Sequence, residues 1–374
     1  MMMTRTIKAR VENALDDLLP TVEASTNAYN YVCKTGWDDK DHNSVSLHHK
    51  TYQYCKQTLP SALAAVVRVQ AAESLKSAHE LSKKGKKVTC PQSDRISIRY
   101  NATCHNVMFD KGLVSLLTIS GRKKFKVTVP KYFEKYLDWR RRSATLLVRR
   151  GKVFLNIVFE KDVPDVKPTT FIIGVDRGIK KVAVTSNGLF LGGGELKQKI
   201  LKIGKIRKAL QEKGTKSAKR HLRKLSKKEN RFRRDQSHCM AKKIVNSVPK
   251  GTTIVLEDLT NIRSSGKKFR KEQRYWLNSW NFFQLESFLK YKSENKECVV
   301  EHVDSRYTSQ KCSKCGHIER GNRTKQSRFK CKHCGYSLNA DYNASINISK
   351  NHQDAIRHLG GASVNKPIVA SLTA

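Results

Sequence analysis

Acidic residues are scarce in this chain. Asp and Glu total 32 of 374 residues against 74 Lys and Arg, giving a net charge of +42. A fold gains nothing from such an excess, and self-repulsion makes it costly. A polyanionic partner accounts for it, because each phosphate neutralised releases a counterion. Long apolar runs are also missing. No stretch of roughly 18 apolar residues occurs, so a helical membrane span is not expected. The opening Met1-Met2-Met3-Thr4-Arg5-Thr6-Ile7-Lys8 lacks the apolar core of a secretory leader, so export is not expected either. Paired cysteines are absent over most of the chain. Cys33, Cys55, Cys90, Cys104, Cys239 and Cys298 are scattered singly, which fits a reducing interior better than a disulfide framework.

The apolar pattern divides the chain. Thr4 to Val11 alternates as a strand. Two helical stretches follow, about Val11 to Val32 with a break or kink at Pro20, and about Ser61 to Leu81, which a Ser-Lys-Lys-Gly-Lys-Lys segment ends. From Ile96 to Phe159 short alternating runs with polar turns predict a small β-barrel or sandwich. Residues 1–165 therefore read as a β-domain with a helical insertion at about 11–90. Lys161 to Thr170, with Pro164 and Pro168, reads as a linker. Phe171 to Asp176 is a buried strand ending on an acid, and Val182 to Leu191 contains an Asn187-Gly188 hairpin signal. That opening is the way an RNase H-like sheet begins, and residues 166–305 are expected to form that domain. Residues 196–235 carry Lys or Arg at about every second position, with Ile200, Ile203, Ile206, Leu210, Leu222 and Leu225 at helical spacing on either side of Gly214. They predict a hairpin of two basic helices. The single sign of its charge favours phosphate contact, with Lys219, Arg220, Arg223, Lys224, Arg231, Arg233 and Arg234 as candidate nucleic-acid-binding residues. A helix is expected to start at His238, a strand at Gly251 to Leu259, a basic loop at Asn261 to Tyr275, a helix at Trp280 to Tyr291 and a strand at Cys298 to Val303.

Three carboxylates stand in settings suited to a metal. Asp176 and Glu257 each end a run of apolar residues, an expensive place for an unpaired charge. Asp341 follows in Asp341-Tyr342-Asn343-Ala344. Phosphodiester cleavage needs charge stabilised on both the attacking and the leaving oxygen, and divalent ions held by converging carboxylates do this; Mg²⁺ suits oxygen ligands. Asp258, next to Glu257, is expected on the opposite sheet face and is ranked as a non-ligand. Cys312-x-x-Cys315 and Cys331-x-x-Cys334 have the spacing of a four-thiolate zinc ribbon at 306–338, a structural and not a catalytic zinc. Tyr275, Trp276, Trp280, Phe282 and Phe283 can stack on bases, but Phe282 and Phe283 are expected in the core. The hydroxyls of Tyr307-Thr308-Ser309-Gln310 either bind phosphate or cap a turn.

Gly174-Val175-Asp176-Arg177-Gly178-Ile179, Leu256-Glu257-Asp258-Leu259, Tyr307-Thr308-Ser309-Gln310-x-Cys312-Ser313-x-Cys315-Gly316, Cys331-x-x-Cys334-Gly335 and Asp341-x-Asn343-Ala344-x-x-Asn347-Ile348 together resemble the TnpB proteins of insertion sequences, relatives of type V CRISPR effectors often described as transposases. The resemblance is strongest over 171–350; Ser345 stands where Ala is usual. It implies a multidomain α+β and α/β architecture: an N-terminal wedge β-barrel with a helical recognition insertion, then a RuvC-like domain with a basic helical hairpin and an inserted zinc ribbon. Residues 339–374 would supply the last RuvC segment and a tail. It also implies an RNA-guided, Mg²⁺-dependent DNA endonuclease of a transposable element, with Asp176, Glu257 and Asp341 as catalytic acids. The implied partners are a guide RNA and a target DNA, with no membrane and no small-molecule cofactor. The implied setting is a prokaryotic cytoplasm, at the nucleoid when acting. The alternatives are a nuclease-inactive RNA-guided repressor or transposition accessory protein, which loss of an acid would mark, and a zinc-ribbon RNA-binding protein without chemistry.

Overall fold

The computed structural model describes residues 2–163, 171–178, 181–192, 194–259, 282–325 and 327–360, and the chain divides into two units, Met1–Pro164 and Asp165–Ala374. In the first unit, strand β1 (Met2–Val11) turns Ile7, Ala9 and Val11 inward and leaves Lys8 and Arg10 exposed, the period of two that a half-buried strand requires. It pairs antiparallel with β7 (Lys152–Asp162) along its whole length, Met2 level with Asp162 and Val11 with Val153, and at its end with β5 (Gly121–Thr128). The remaining strands are β2 (Ile98–Tyr100), β3 (His105–Met108), β4 (Leu113–Thr118) and β6 (Arg140–Arg149). The order β2-β6-β7-β1-β5-β4-β3 curls into a nearly closed, barrel-like sheet.

Helices α1 (Leu15–Asp38), α2 (Ser44–Thr58) and α3 (Ser61–Lys83) are inserted after β1 and share one apolar core with the sheet, from Leu18 and Val67 to Leu155 and Ile157. Two helices were expected and three are found. The additional α2 buries only Leu47, Thr51 and Cys55, spaced four apart, so its polar sequence carries little periodic signal. Asn43 starts it by accepting hydrogen bonds from the Val45 and Ser46 amides. The expected break at Pro20 is not present; α1 runs through it.

The second unit is built on a sheet of β8 (Ile172–Asp176), β9 (Ala183–Thr185), β10 (Phe190–Leu191), β11 (Thr253–Glu257) and β12 (Val299–Val303), in the order β10-β9-β8-β11-β12. β8, β11 and β12 are parallel, and β9 and β10 form an antiparallel hairpin whose Gly188 takes a φ of +87°. The basic hairpin is α4 (Gly194–Lys213) and α5 (Lys216–Asn246), separated by Gly214 at φ +61°. A new helix was expected at His238, but α5 is continuous there. Helix α6 (Phe282–Glu294) packs on α5, and α7 (Ala340–Gly360) packs on β8. A small ladder of β13 (Arg328–Lys330) and β14 (Ser337–Asn339) lies in the cysteine-rich segment. Residues 164–170 of the expected linker, the loop at 261–275 with Tyr275 and Trp276, Trp280 and the tail beyond Gly360 lie outside the described residues. Among the described residues no helix is long and apolar enough to cross a membrane.

Candidate active site and cysteine cluster

Asp176 and Glu257 are the last residues of adjacent parallel strands. Leu256 is level with Val175, so the next residue on each strand leaves the sheet at the same height and on the same side. The apolar residues before them, Ile173, Val175, Ile254 and Leu256, are buried and fix those strand ends in the core. Asp341 comes from the first turn of α7. Asn339 caps that turn, accepting from the amides of Asp341 and Tyr342, and the helix N-terminus favours a carboxylate there.

The three acids feel one another. Burial first, then the Glu257 and Asp341 carboxylates, push the Asp176 acid well above the usual carboxylate range, with Arg323 and Arg177 opposing. Burial raises Glu257 too, against a hydrogen bond from Thr308 and the charges of Arg177 and Arg323. Among the described residues no hydrogen bond or ion pair reaches the Asp176 carboxylate. A buried acid such as Asp176 suits a divalent cation, which lowers the cost of holding it ionised, although among the described residues only the four cysteines converge closely enough to count as a ready-made metal group.

Residues around the acids supply what the sequence reading missed. Thr308 is 3% exposed and donates its hydroxyl to Glu257 Oε1 at 2.5 Å. Arg177, also buried, donates to the Glu257 carbonyl and forms an ion pair with Glu286 at 2.9 Å, and Glu286 in turn meets His302 at 3.0 Å and Lys290 at 2.9 Å. Arg323 bonds Asp341 Oδ1 at 2.9 Å. Only the Tyr-Thr-Ser-Gln run offered a signal for one of these, and it left phosphate binding and turn capping equally open. Asp258 is exposed at the end of β11, and its amide bonds the Val303 carbonyl.

The four cysteines meet. Their sulfurs lie within 4.8 Å of one another, with Cys312 and Cys334 at 3.8 Å and Cys315 and Cys331 at 3.6 Å. A tetrahedral ion with metal–sulfur bonds of about 2.3 Å has sulfur–sulfur edges of about 3.8 Å. The cluster can therefore hold a metal such as zinc. Gly316 and Gly335, each following the second cysteine of a pair, take φ of +79° and +70°. The Cys334 amide pulls the Cys331 thiol down to about 7. The His317 amide favours the Cys315 thiolate, but burial and the other three thiols drive Cys315 up to about 12. Cys315 and Cys331, split in this way, share a proton that a divalent cation would displace. Asn343 and Asn347, one turn apart on α7, grip the knuckle backbone: Asn343 bonds the Lys311 carbonyl at 2.8 Å and the Ser313 amide at 3.0 Å, and Asn347 bonds the carbonyls of Thr308 at 2.8 Å and Lys311 at 2.7 Å.

On the basic hairpin, Lys219, Arg220, Arg223, Lys224, Arg231 and Arg234 are exposed. Arg233 differs. It pairs with buried Glu229 on its own helix and so leaves the expected phosphate-binding face, while Arg207 from α4 pairs with the same Glu229 and ties the two helices together. Phe283, expected in the core, is 76% exposed.

The geometry defines a class: a mixed α/β protein with a carboxylate site at the ends of parallel strands and a four-cysteine knuckle beside it. Residues 156–274 match the family described as probable transposase OrfB_IS605, and residues 282–348 match the Cas12f1-like TNB domain. The chain is 42% identical over 127 residues to the CRISPR-associated endodeoxyribonuclease Cas12f1 of Sulfoacidibacillus thermotolerans, covering 33% of this chain and 28% of that protein. It is 36% identical over 151 residues to a TnpB-like protein of Methanocaldococcus jannaschii, covering 40% of this chain and 53% of that one. The chain thus spans about half or less of these curated relatives. A solved structure, the cryo-EM Cas12f1-sgRNA-target DNA complex, shares the fold with a TM-score of 0.60 at 18% identity, over 90% of this chain and 83% of that one. Over its second half the chain is thus similar to OrfB_IS605-type transposases and to TnpB-like proteins.

Proposed function

We propose that the protein is an RNA-guided, divalent-cation-dependent DNA endonuclease of a transposable element. One observation carries this reading: Asp176 and Glu257 leave the ends of adjacent parallel strands at the same level, and Asp341 starts the helix that packs on the first of those strands. The cluster would hold Mg²⁺, which when bound stabilises charge on the attacking and leaving oxygens of a phosphodiester. The sheet, with its parallel strands and antiparallel hairpin, is read as RNase H-like and RuvC-like, and Cys312, Cys315, Cys331 and Cys334 as the ligands of a structural zinc ribbon.

The chain's own groups have distinct tasks. Glu257 is held by Thr308 on one oxygen and through its carbonyl by Arg177. Asp341 is oriented by Arg323, whose guanidinium is of the right sign and shape to face a phosphate drawn to the acids. The exposed cations of the hairpin contact the nucleic-acid backbone without reading sequence, which base pairing to a guide RNA would supply. The wedge barrel and its helical insertion, residues 1–165, are proposed to bind that RNA and the DNA flank. The relative solved with RNA guide and target DNA supports both partners.

Asp176→Ala tests the reading. Cleavage of guide-matched DNA should fall by roughly 100-fold or more, the scale for removing one charge-stabilising group, with nucleic-acid affinity nearly unchanged. Full cleavage by this variant refutes the site. Sequencing the RNA that copurifies tests guidance: a discrete species with a fixed scaffold and variable end is expected, and bulk ribosomal RNA contradicts it.

A further inference from the structure

The turn at Ser305 to Lys311 joins the cysteine knuckle to both halves of the carboxylate site. Tyr307 sits at φ +61°, a left-handed conformation uncommon for a bulky residue, and its ring points to solvent while Thr308, next in the chain, turns inward. Asn347 on α7 holds the turn by the Thr308 and Lys311 carbonyls, and Asn343 holds Lys311 and Ser313. The same helix carries Asp341, and the Thr308 hydroxyl reaches Glu257 on β11. That hydroxyl has one proton and two acceptors in range, Glu257 Oε1 at 2.5 Å and the Ser305 carbonyl at 3.1 Å. The shorter, charge-assisted bond takes it.

We infer that Thr308 is the positioning residue for Glu257, and that through it the fold of the cysteine knuckle sets the spacing of Glu257 and Asp341. The inference rests on the proposed carboxylate site. The chain of contacts has no slack. Four thiols fix Cys312; its neighbours Lys311 and Ser313 are bound to α7; Thr308, three residues before Lys311, is bound to α7 by its carbonyl and to Glu257 by its hydroxyl. Glu257 and Asp341 come from elements 84 residues apart in sequence, yet both hang on this one turn. Losing a donor that holds a metal-binding carboxylate in this way typically changes metal affinity by about 10–100-fold. Thr308 touches no reacting atom and acts only through Glu257.

The test uses the full chain with Thr308→Val, which keeps shape and loses the donor, and Thr308→Ser, which keeps the donor. Zinc content and nucleic-acid affinity should match the parent in both. Thr308→Val should bind Mn²⁺ about 10-fold more weakly, read by electron paramagnetic resonance, and should need more cation for half-maximal cleavage. Thr308→Ser should recover to within about threefold of the parent. Unchanged Mn²⁺ binding in Thr308→Val overturns the inference; so does a serine variant as impaired as the valine one, since packing and not donation would then be responsible. A double-mutant cycle of Thr308→Val with Glu257→Gln, read by melting temperature, separates this from the nuclease reading. Non-additive shifts are expected and additive shifts overturn the inference. A parent protein that never cleaves DNA yet shows the coupling sinks the nuclease reading and leaves the positioning role standing.

Discussion

A methyl group placed on Gly174 has nowhere to go. Its Cβ would lie 2.0 Å from the Ser345 carbonyl oxygen, 2.6 Å from the Ser349 amide nitrogen and 3.0 Å from Ile348 Cβ, all on α7. Two of these are backbone atoms of a regular helix and cannot swing aside. Restoring an ordinary carbon–oxygen contact needs a shift of about 1.3 Å between β8 and α7. Asp176 lies two residues along β8, and Asp341 lies four residues before Ser345 on α7. The shift therefore acts directly on the distance between two of the three acids. Overpacking of this kind costs about 1–3 kcal/mol, and the absence of a yielding side chain puts Gly174→Ala near the top, about 3 kcal/mol. For a unit of this size that is a fall in melting temperature of roughly 6–12 °C. A misplacement of about 1 Å at a reacting centre costs roughly 100-fold in rate. The assays are thermal melting and cation-dependent cleavage of guide-matched DNA at a temperature where the variant is folded. Gly188→Ala is the control. No atom lies within 4 Å of its added methyl, but φ is +87°, so it should lose stability by about 1–2 kcal/mol and keep its rate. A Gly174→Ala protein with parental melting and rate would refute the close packing; equal rate loss in both variants would show that the effect is instability alone.

Other outcomes follow from the same geometry. Removing the cation from the four cysteines with a chelator should abolish amide-exchange protection across 312–339, because the apolar cluster there, Cys312, Phe329, Cys331 and Ala340, is too small to hold the β13–β14 ladder unaided. Protection that survives complete removal would contradict this. The raised acids of Asp176 and Glu257 give a signed pH effect. Their folded-state pKa values lie above the unfolded ones, so the cation-free protein gains stability from their protons at low pH and loses it as pH rises through the folded values. A divalent cation replaces those protons, so the rise in melting temperature on adding Mg²⁺ should be larger at about pH 8 than at about pH 5. An equal or reversed increment would place the raised acids elsewhere.

The local elements were legible because each rests on neighbours in sequence. The strand ending at Asp176, the Asn187-Gly188 turn, the basic helices around Gly214 and the CxxC spacing all depend on period, turn chemistry or ligand spacing within a few residues. Polar α2 was not legible, since three small buried side chains leave almost no stripe. Nor was the exposure of Phe283, because an apolar residue at helical spacing looks the same whether its face is covered or open.

The chain by itself thus determined which acids, cysteines and cations are available and the local form that carries each one. Only the tertiary structure decided that Thr308 reaches Glu257, that Arg323 reaches Asp341, that Glu229 captures Arg207, and that Gly174 is small because helix α7 rests on it. The reason is physical. Periodicity and spacing record what a residue does within its own turn or strand, whereas these contacts form between segments tens to more than a hundred residues apart, and their partners are fixed only when burial and parallel strand order bring the segments together.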